Sequence, residues 1–279
     1  VDLDANGRFL LLGGAGTGKT TIVRQWAHRA CIRKERTLLV CFNRPLADDL
    51  VHSLRHTNAV INTFHGLLLD LATPLGLQMP PNPSADWWSH TLIDAYLAQE
   101  HAVTVRYDTV LVDEGQDFRP GWFGILERLL SPDGPRRFLV AADPLQAIYV
   151  PGWQAPPDLP RLELRLNLRN SRSIAAKVAE MGGAPVNPQN PKGPRVESVA
   201  ATNASLPRTV NQLLRRARQD LGIIPSQMAV LTRHRDLQEQ LIHNSDTDLP
   251  LVEWKDRSEG AVLCETIHRV KGIERQAII

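Results

Sequence analysis

The segment LLLGGAGTGKTT at 10–21 constrains this chain more than any other. It matches G-x-x-x-x-G-K-[ST] at Gly13, Gly18, Lys19 and Thr20, follows an apolar run at 9–12 and leads into a helix-compatible stretch. That strand, loop and helix context is what the motif requires. Glycines let successive backbone N–H groups turn inward with no Cβ in the way, and a helix N-terminus adds partial positive charge. Gly13, Gly14, Ala15, Gly16, Thr17, Gly18, Lys19, Thr20 and Thr21 therefore form a candidate phosphate cradle. Lys19 is placed to reach β- and γ-phosphates and the Thr20 hydroxyl to ligate Mg²⁺. The alternative is a Gly-rich turn between a core strand and a core helix, which has no need of the Lys-Thr pair.

With 279 residues the chain has room for two domains, each with its own core. Hydrophobic residues make up 43% and charged ones 22%, and no apolar run approaches the roughly 18 residues that span a bilayer. No export signal pattern is present, so a cytoplasmic protein with no membrane partner is expected. Cys31, Cys41 and Cys264 are scattered without C-x-x-C spacing, which fits a reducing interior and predicts no structural metal. A formal net charge of +2 does not by itself announce a nucleic-acid binder.

The pattern along the chain predicts an α/β fold with parallel sheets. Helical spacing at 20–30, the apolar run TLLVCF at 37–42 and a helix at 46–54 open a βαβ unit. A proline-bearing loop at 73–84 leads to a helix with Ser84 as its cap and Trp88, Leu92, Tyr96 and Leu97 on one face, and residues 66–104 read as a small helical insertion. Strands are predicted at 107–112 and 137–142, a helix at 123–130, and a linker at 151–160, where Pro151, Pro156, Pro157 and Pro160 cluster. The predicted division is therefore 1–158 and 159–279, the second half opening with the run at 162–168 and ending in a strand at 276–279, incomplete at its C-terminus. Within the first half, three strands end in polar residues: Lys19 and Thr20, then Asp113 and Glu114, then Asp143 and Gln146. In an open α/β sheet that edge is where ligands bind. Asp113 is placed to hold Mg²⁺ and Glu114 to orient and deprotonate an attacking water. Two solvated acids capping the next helix would be the plainer reading of the pair.

The ordered blocks GGAGTGKT (13–20), CFNRPLA (41–47), NTFHG (62–66), VDEGQDF (112–118), ADPLQAIY (142–149), LNLRN (166–170) and TIHRVKGIE (266–274) resemble the motif series of UvrD/Rep-type superfamily 1 DNA helicases. The resemblance implies two RecA-like P-loop NTPase domains with ATP and Mg²⁺ as cofactors. It implies that Gln146 senses the γ-phosphate, that Arg169 reaches it from the second domain as an arginine finger, and that Glu274 contacts the ribose, with Gly272 allowing close approach. It further implies that Phe42, Phe64, Tyr149 and Trp153 stack on bases, and that Asn43, Thr63, His65, Thr266 and His268 touch the nucleic-acid backbone. The partner expected is single-stranded DNA, with RNA not excluded, and the activity an ATP-dependent translocase or helicase of 3′-to-5′ polarity, with DNA repair among the processes that could use it.

Three departures qualify the resemblance. Leu168 stands where family members commonly carry an aromatic residue that stacks on adenine. The family's upstream adenine-reading glutamine segment and its last arginine-bearing motif are absent, so the chain is expected to be a piece of a longer polypeptide, with poor hydrolysis alone and with protein partners or fused domains outside it. Two rival readings stand beside the helicase: a P-loop ATPase that switches a protein partner without nucleic acid, and a non-hydrolysing nucleotide sensor.

Overall fold

The computed structural model describes residues 7–243 and 247–279. It divides by compactness into Val1–Val196 and Glu197–Ile279.

The first unit is built on an all-parallel sheet of β1 (Arg8–Gly13), β2 (Thr37–Cys41), β3 (Val60–Thr63), β4 (Thr109–Val112), β5 (Arg137–Ala142) and β6 (Arg161–Leu164), in the order β3-β2-β4-β5-β1-β6. Every residue of β2 and β4 is buried, as parallel strands covered on both faces require. Strand alternation sorts the two faces cleanly. Leu10, Leu38, Val40, Val110, Val112, Phe138 and Val140 enter one core, and Phe9, Leu11, Leu39, Cys41, Leu111, Leu139 and Ala141 the other. The second of these faces is covered by α1 (Lys19–Ile32), through Val23, Trp26 and Ala27, and by α2 (Arg44–Ser53), through Leu46, Ala47 and Leu50. The first face receives α3 (Phe64–Ala72), α4 (Leu92–Gln99) and α5 (Pro120–Arg128).

Caps decide where these helices start. Asn43 accepts a hydrogen bond from the Leu46 amide at 2.9 Å, with Pro45 in the first turn of α2. Thr63 accepts from the Gly66 amide at 3.1 Å to begin α3. Ser84 accepts from the Trp87 amide at 3.1 Å, as its sequence position predicts, and a π-helical turn at Trp87–Thr91 precedes α4. Leu92 and Tyr96 are buried there, but Leu97 is exposed, so the insertion's inward face is narrower than the spacing predicts.

Residues 159–196 depart from the predicted division at 158. The run after the prolines supplies β6, which pairs in parallel with β1 from Leu10↔Arg161 to Gly13↔Leu164 and closes the edge of the first sheet. A proline cluster marks a connection, but the ladder partner of the next strand decides which body it joins. Here α6 (Arg172–Glu180) and the irregular residues up to Val196 follow β6 into the first unit.

The second unit carries its own parallel sheet, β10-β7-β9-β8, from β7 (Met228–Thr232), β8 (Leu251–Val252), β9 (Val262–Thr266) and β10 (Ala277–Ile278). Helix α7 (Leu206–Gln219) turns Val210, Leu214 and Ala217 inward, and α8 (Arg235–Ile242) adds Leu241. Arg215 pairs with Asp248 and Arg216 with Glu197 on the outer side.

At the amino edge of the first sheet, Glu35 accepts hydrogen bonds from Arg33 Nε at 2.6 Å, Arg137 Nε at 3.0 Å and the Thr109 hydroxyl at 2.5 Å. Burial pushes its carboxyl up, but these donors outweigh burial and hold it below the usual carboxylate range. Because Glu35 ties the starts of β4 and β5 to the entry of β2, Glu35→Ala is expected to cost about 3 kcal/mol in urea unfolding at pH 7, by stranding the buried Thr109 hydroxyl and the half-buried Arg137 cation.

Candidate nucleotide and nucleic-acid site

Four strand ends of the first sheet open on the same edge, and the side chains that follow them interlock. Gly16 and Gly18 hold left-handed backbone, with φ of 74° and 94°, and Gly18 occupies the cap position of α1. A Cβ on Gly13 would lie 2.5 Å from Thr17 Oγ1, and one on Gly16 would lie 2.6 Å from Asn167 Oδ1, so both positions require glycine. Thr17 closes the turn by donating to the Gly14 carbonyl at 2.8 Å.

Lys19 is buried and donates to the carbonyls of Gly13 at 2.8 Å and Gly14 at 3.1 Å, with Asp143 Oδ2 at 4.0 Å. Asp113 is completely buried; its Oδ1 accepts from the Glu114 amide at 3.0 Å, while among the described residues its Oδ2 has no hydrogen-bond partner. Burial first, then the neighbouring Glu114 charge, push its carboxyl up to about 6 against the opposing pull of the Thr20 hydroxyl and Lys19. A carboxyl with one oxygen unpartnered among the described residues and the Thr20 hydroxyl at hand is a donor set that fits Mg²⁺, a hard cation that keeps waters and phosphate oxygens for its other positions. Among the described residues no group of three His, Cys, Asp or Glu side chains gathers around a cation site.

Glu114 sits at φ 55°, in the left-handed region that a non-glycine residue uncommonly adopts. Gln116 is fully buried and bridges two loops: its Nε2 donates to Glu114 Oε2 at 2.5 Å and its Oε1 accepts from the Asp143 amide at 2.9 Å. Asp143 in turn accepts from the Leu145 amide at 3.1 Å and from Gln146 Nε2 at 2.8 Å. Lys19, Thr20, Asp113, Glu114 and Gln146 thus meet in one constellation, and Gln116 and Asp143 join them. Asp143 was visible as a strand-end acid. Nothing in the sequence marks Gln116 apart from its place inside VDEGQDF.

Arg169 is placed differently from the expectation. It lies in the first unit, on the turn after β6, because Leu168 donates to the Gly16 carbonyl at 2.8 Å and fastens that turn to the phosphate loop. Gly272, with φ 84°, the exposed Glu274 and His268, and the half-buried Thr266 at the end of β9 belong to the second unit.

On the same edge of the first unit, the aromatic residues form a cluster. Phe42 lies 4.6 Å from Tyr149 and 6.3 Å from His65, measured between ring centroids. His65 also meets Trp122 at 5.0 Å and Trp88 at 6.0 Å. Phe64 is a correction: it is 0% exposed and stacks on Trp122 at 4.1 Å, so it is a core residue with no face for a base. Its position as the first residue of α3 turns it inward and leaves His65 nearer the surface. Phe42, Tyr149 and Trp153 are partly buried and pack at the rim of the core. Trp122 and Trp88 belong to the platform although no motif pointed to them. Asn43 and Thr63 spend their side-chain oxygens on the caps of α2 and α3.

A family profile described as "AAA domain" matches residues 3–151. The chain belongs to the AAA domain family. No curated protein sequence matches it. Among solved structures, AMPPCP-bound DnaA from Aquifex aeolicus is similar at 16% identity over 65% of this chain and 49% of that one, with a TM-score of 0.31. A structure described as showing DNA unwinding at forked dsDNA by two coordinating Pif1 helicases is similar at 13% identity over 86% of this chain and 54% of that one, with a TM-score of 0.34. The chain spans about half the length of these structures. The family assignment and the parallel sheets agree on a P-loop NTPase fold of RecA-like type. Among the described residues no helix is long and apolar enough to cross a membrane.

Burial, and then the Arg119 charge, lower the His65 imidazole to about 4, so the cluster holds it neutral at physiological pH. The unfolded chain then binds the extra proton between roughly pH 6.5 and 4, and stability falls as pH drops through that window. His65→Gln is expected to lose about 2 kcal/mol less than the parent protein between pH 7 and pH 5 in urea unfolding, the difference between the two pH slopes isolating this group.

Proposed function

We propose that this AAA domain is the nucleotide-hydrolysing part of a translocase or helicase on single-stranded DNA, with ATP and Mg²⁺ at the phosphate loop. One observation carries the reading. The segment from Asp143 to Tyr149 begins 4.0 Å from the Lys19 ammonium and ends with its tyrosine ring 4.6 Å from Phe42. A single short loop therefore has one end in the phosphate chemistry and the other in an aromatic platform. A switch acting on a protein partner has no need of that platform, and a sensor that never hydrolyses has no need of Glu114 held by Gln116.

In this reading Lys19 and the loop amides hold the β- and γ-phosphates, and Asp113 with Thr20 holds Mg²⁺, which supplies charge neutralisation when bound. Glu114 takes the proton of the attacking water, and Gln116 keeps its carboxylate aimed. Gln146, hydrogen-bonded to Asp143, reports the γ-phosphate to the loop, and Arg169 serves as the positive group that approaches it from the turn beside Gly16. Phe42, Tyr149 and Trp153 offer faces for bases, with no preference among sequences. Asn43, Thr63 and His65 contact the strand's backbone. The UvrD/Rep-like motif order favours DNA and 3′-to-5′ movement.

ATP turnover is expected to rise several-fold with saturating oligo(dT), and less with oligo(U). Glu114→Gln is expected to lower turnover at least 100-fold while a fluorescent ATP analogue still binds. Turnover indifferent to both oligonucleotides would overturn the nucleic-acid reading, and turnover unaffected by Glu114→Gln would overturn the hydrolytic one.

Tyr149→Ala is expected to weaken oligo(dT) binding about 5- to 100-fold, as removal of one stacking ring does, measured by fluorescence anisotropy at fixed salt.

A further inference from the structure

Asn167, on the turn that follows β6, is completely buried, and its carboxamide lies close against Gly16 of the phosphate loop. A Cβ on Gly16 would sit 2.6 Å from its Oδ1 and 3.0 Å from its Nδ2. The two ends of that carboxamide are used very differently. Oδ1 accepts from the backbone amides of Arg169 at 3.3 Å and Asn170 at 3.1 Å. These two donors fix the orientation of the amide, because a flip would set its NH₂ against two N–H groups. Nδ2, by contrast, has no hydrogen-bond partner among the described residues.

A buried NH₂ left without an acceptor is costly, so its retention calls for an acceptor that the protein itself does not provide. The backbone around it is held by several hydrogen bonds, although Ser171 Oγ and Arg172 Nε, just beyond, also lack partners among the described residues. Asn190 Nδ2 donates to the carbonyls of Asn167 at 2.7 Å and Asn170 at 2.9 Å, the Asn167 amide donates to Pro185, and the Leu168 amide to Gly16. The orphan donor thus stands in a hydrogen-bonded turn, beside a glycine of a loop whose geometry suits phosphate.

We propose that Asn167 is a further phosphate ligand: its Nδ2 donates to a phosphate oxygen of the nucleotide held by residues 13–20, while its Oδ1 holds the turn that carries Arg169. One carboxamide then joins the occupied loop to the arginine, so phosphate and Arg169 are positioned together. This inference rests on the nucleotide reading above.

The test is side-chain amide NMR on the ¹⁵N-labelled chain together with binding of fluorescent ADP and a fluorescent non-hydrolysable ATP analogue. The Asn167 NH₂ resonances are expected to shift on saturation with nucleotide. Asn167→Asp keeps an oxygen for the Arg169 and Asn170 amides but replaces the donor by a negative charge; it is expected to weaken binding about 10- to 100-fold. Loss with the triphosphate alone assigns the γ-phosphate, and equal loss with both assigns the β-phosphate; either supports the proposal. Unmoved Asn167 resonances in the parent chain at saturation overturn it even if the variant fails to fold, as does unchanged affinity of a folded Asn167→Asp. Failure of the parent chain to bind either nucleotide would instead bring down the nucleotide reading itself.

Discussion

The structure around the phosphate loop is governed by a charge imbalance. One buried ammonium, on Lys19, faces three buried carboxylates, on Asp113, Glu114 and Asp143. Carboxylates removed from water must be paired, hydrogen-bonded or protonated. Glu114 and Asp143 are supplied with donors by Gln116, Gln146 and the Leu145 amide. Asp113 is not fully supplied, and its raised affinity for a proton is the visible result. A site short of positive charge suits a ligand that arrives with a dication, and Asp113, with one oxygen unpartnered among the described residues, is where the deficit is sharpest.

The parallel sheet is what makes such a concentration of charge possible. Parallel strands all deliver their carboxyl ends to one edge, so the loops after β1, β4 and β5 must meet there, while β6 beside β1 brings its own turn to the same place. The cost of crowding polar groups is met by the two apolar cores behind them, where successive residues of each strand face opposite layers. The helical insertion does similar work for the aromatic edge. Trp88 packs against His65, and Trp122 of α5 backs both His65 and Phe64, so the exposed parts of Phe42 and Tyr149 rest on a stiff base.

Much of this was legible in the residues. Phosphate-loop spacing, the apolar strands and the acids at their ends follow from local chemistry, and local chemistry is what a sequence displays. Three features were not legible, for different reasons. The run at 162–168 looks like the start of a new body because prolines precede it, yet which sheet a strand joins depends on its ladder partner, far away in the chain. Phe64 sits in a motif-like block, but the first turn of α3 points it into the core, and one helical residue separates a buried ring from a reachable one. Gln116 and Asn167 carry no charge and no rare chemistry. Their weight comes from complete burial between two loops, which no residue pattern encodes.

The link between the two ends of the Asp143–Tyr149 loop sets a limit on how the proposed motor can work. Gln116 joins Glu114 to the backbone of Asp143, and Gln146 joins the Asp143 carboxylate to the loop beyond it. A change in the phosphate state can reach Tyr149 by shifting these bonds, and strain on Tyr149 can travel back through them. Binding free energy obeys that reciprocity: whatever factor the nucleotide contributes to the hold on a strand, the strand contributes to the hold on the nucleotide. The turn at Asn167 and Arg169 is fastened to Gly16 on the other side of the loop. The phosphate loop is thus bracketed by two hydrogen-bonded arms, one leading to an aromatic platform and one to a cation. Both arms belong to the same compact unit, so the proposed chemistry and the proposed grip share one rigid frame.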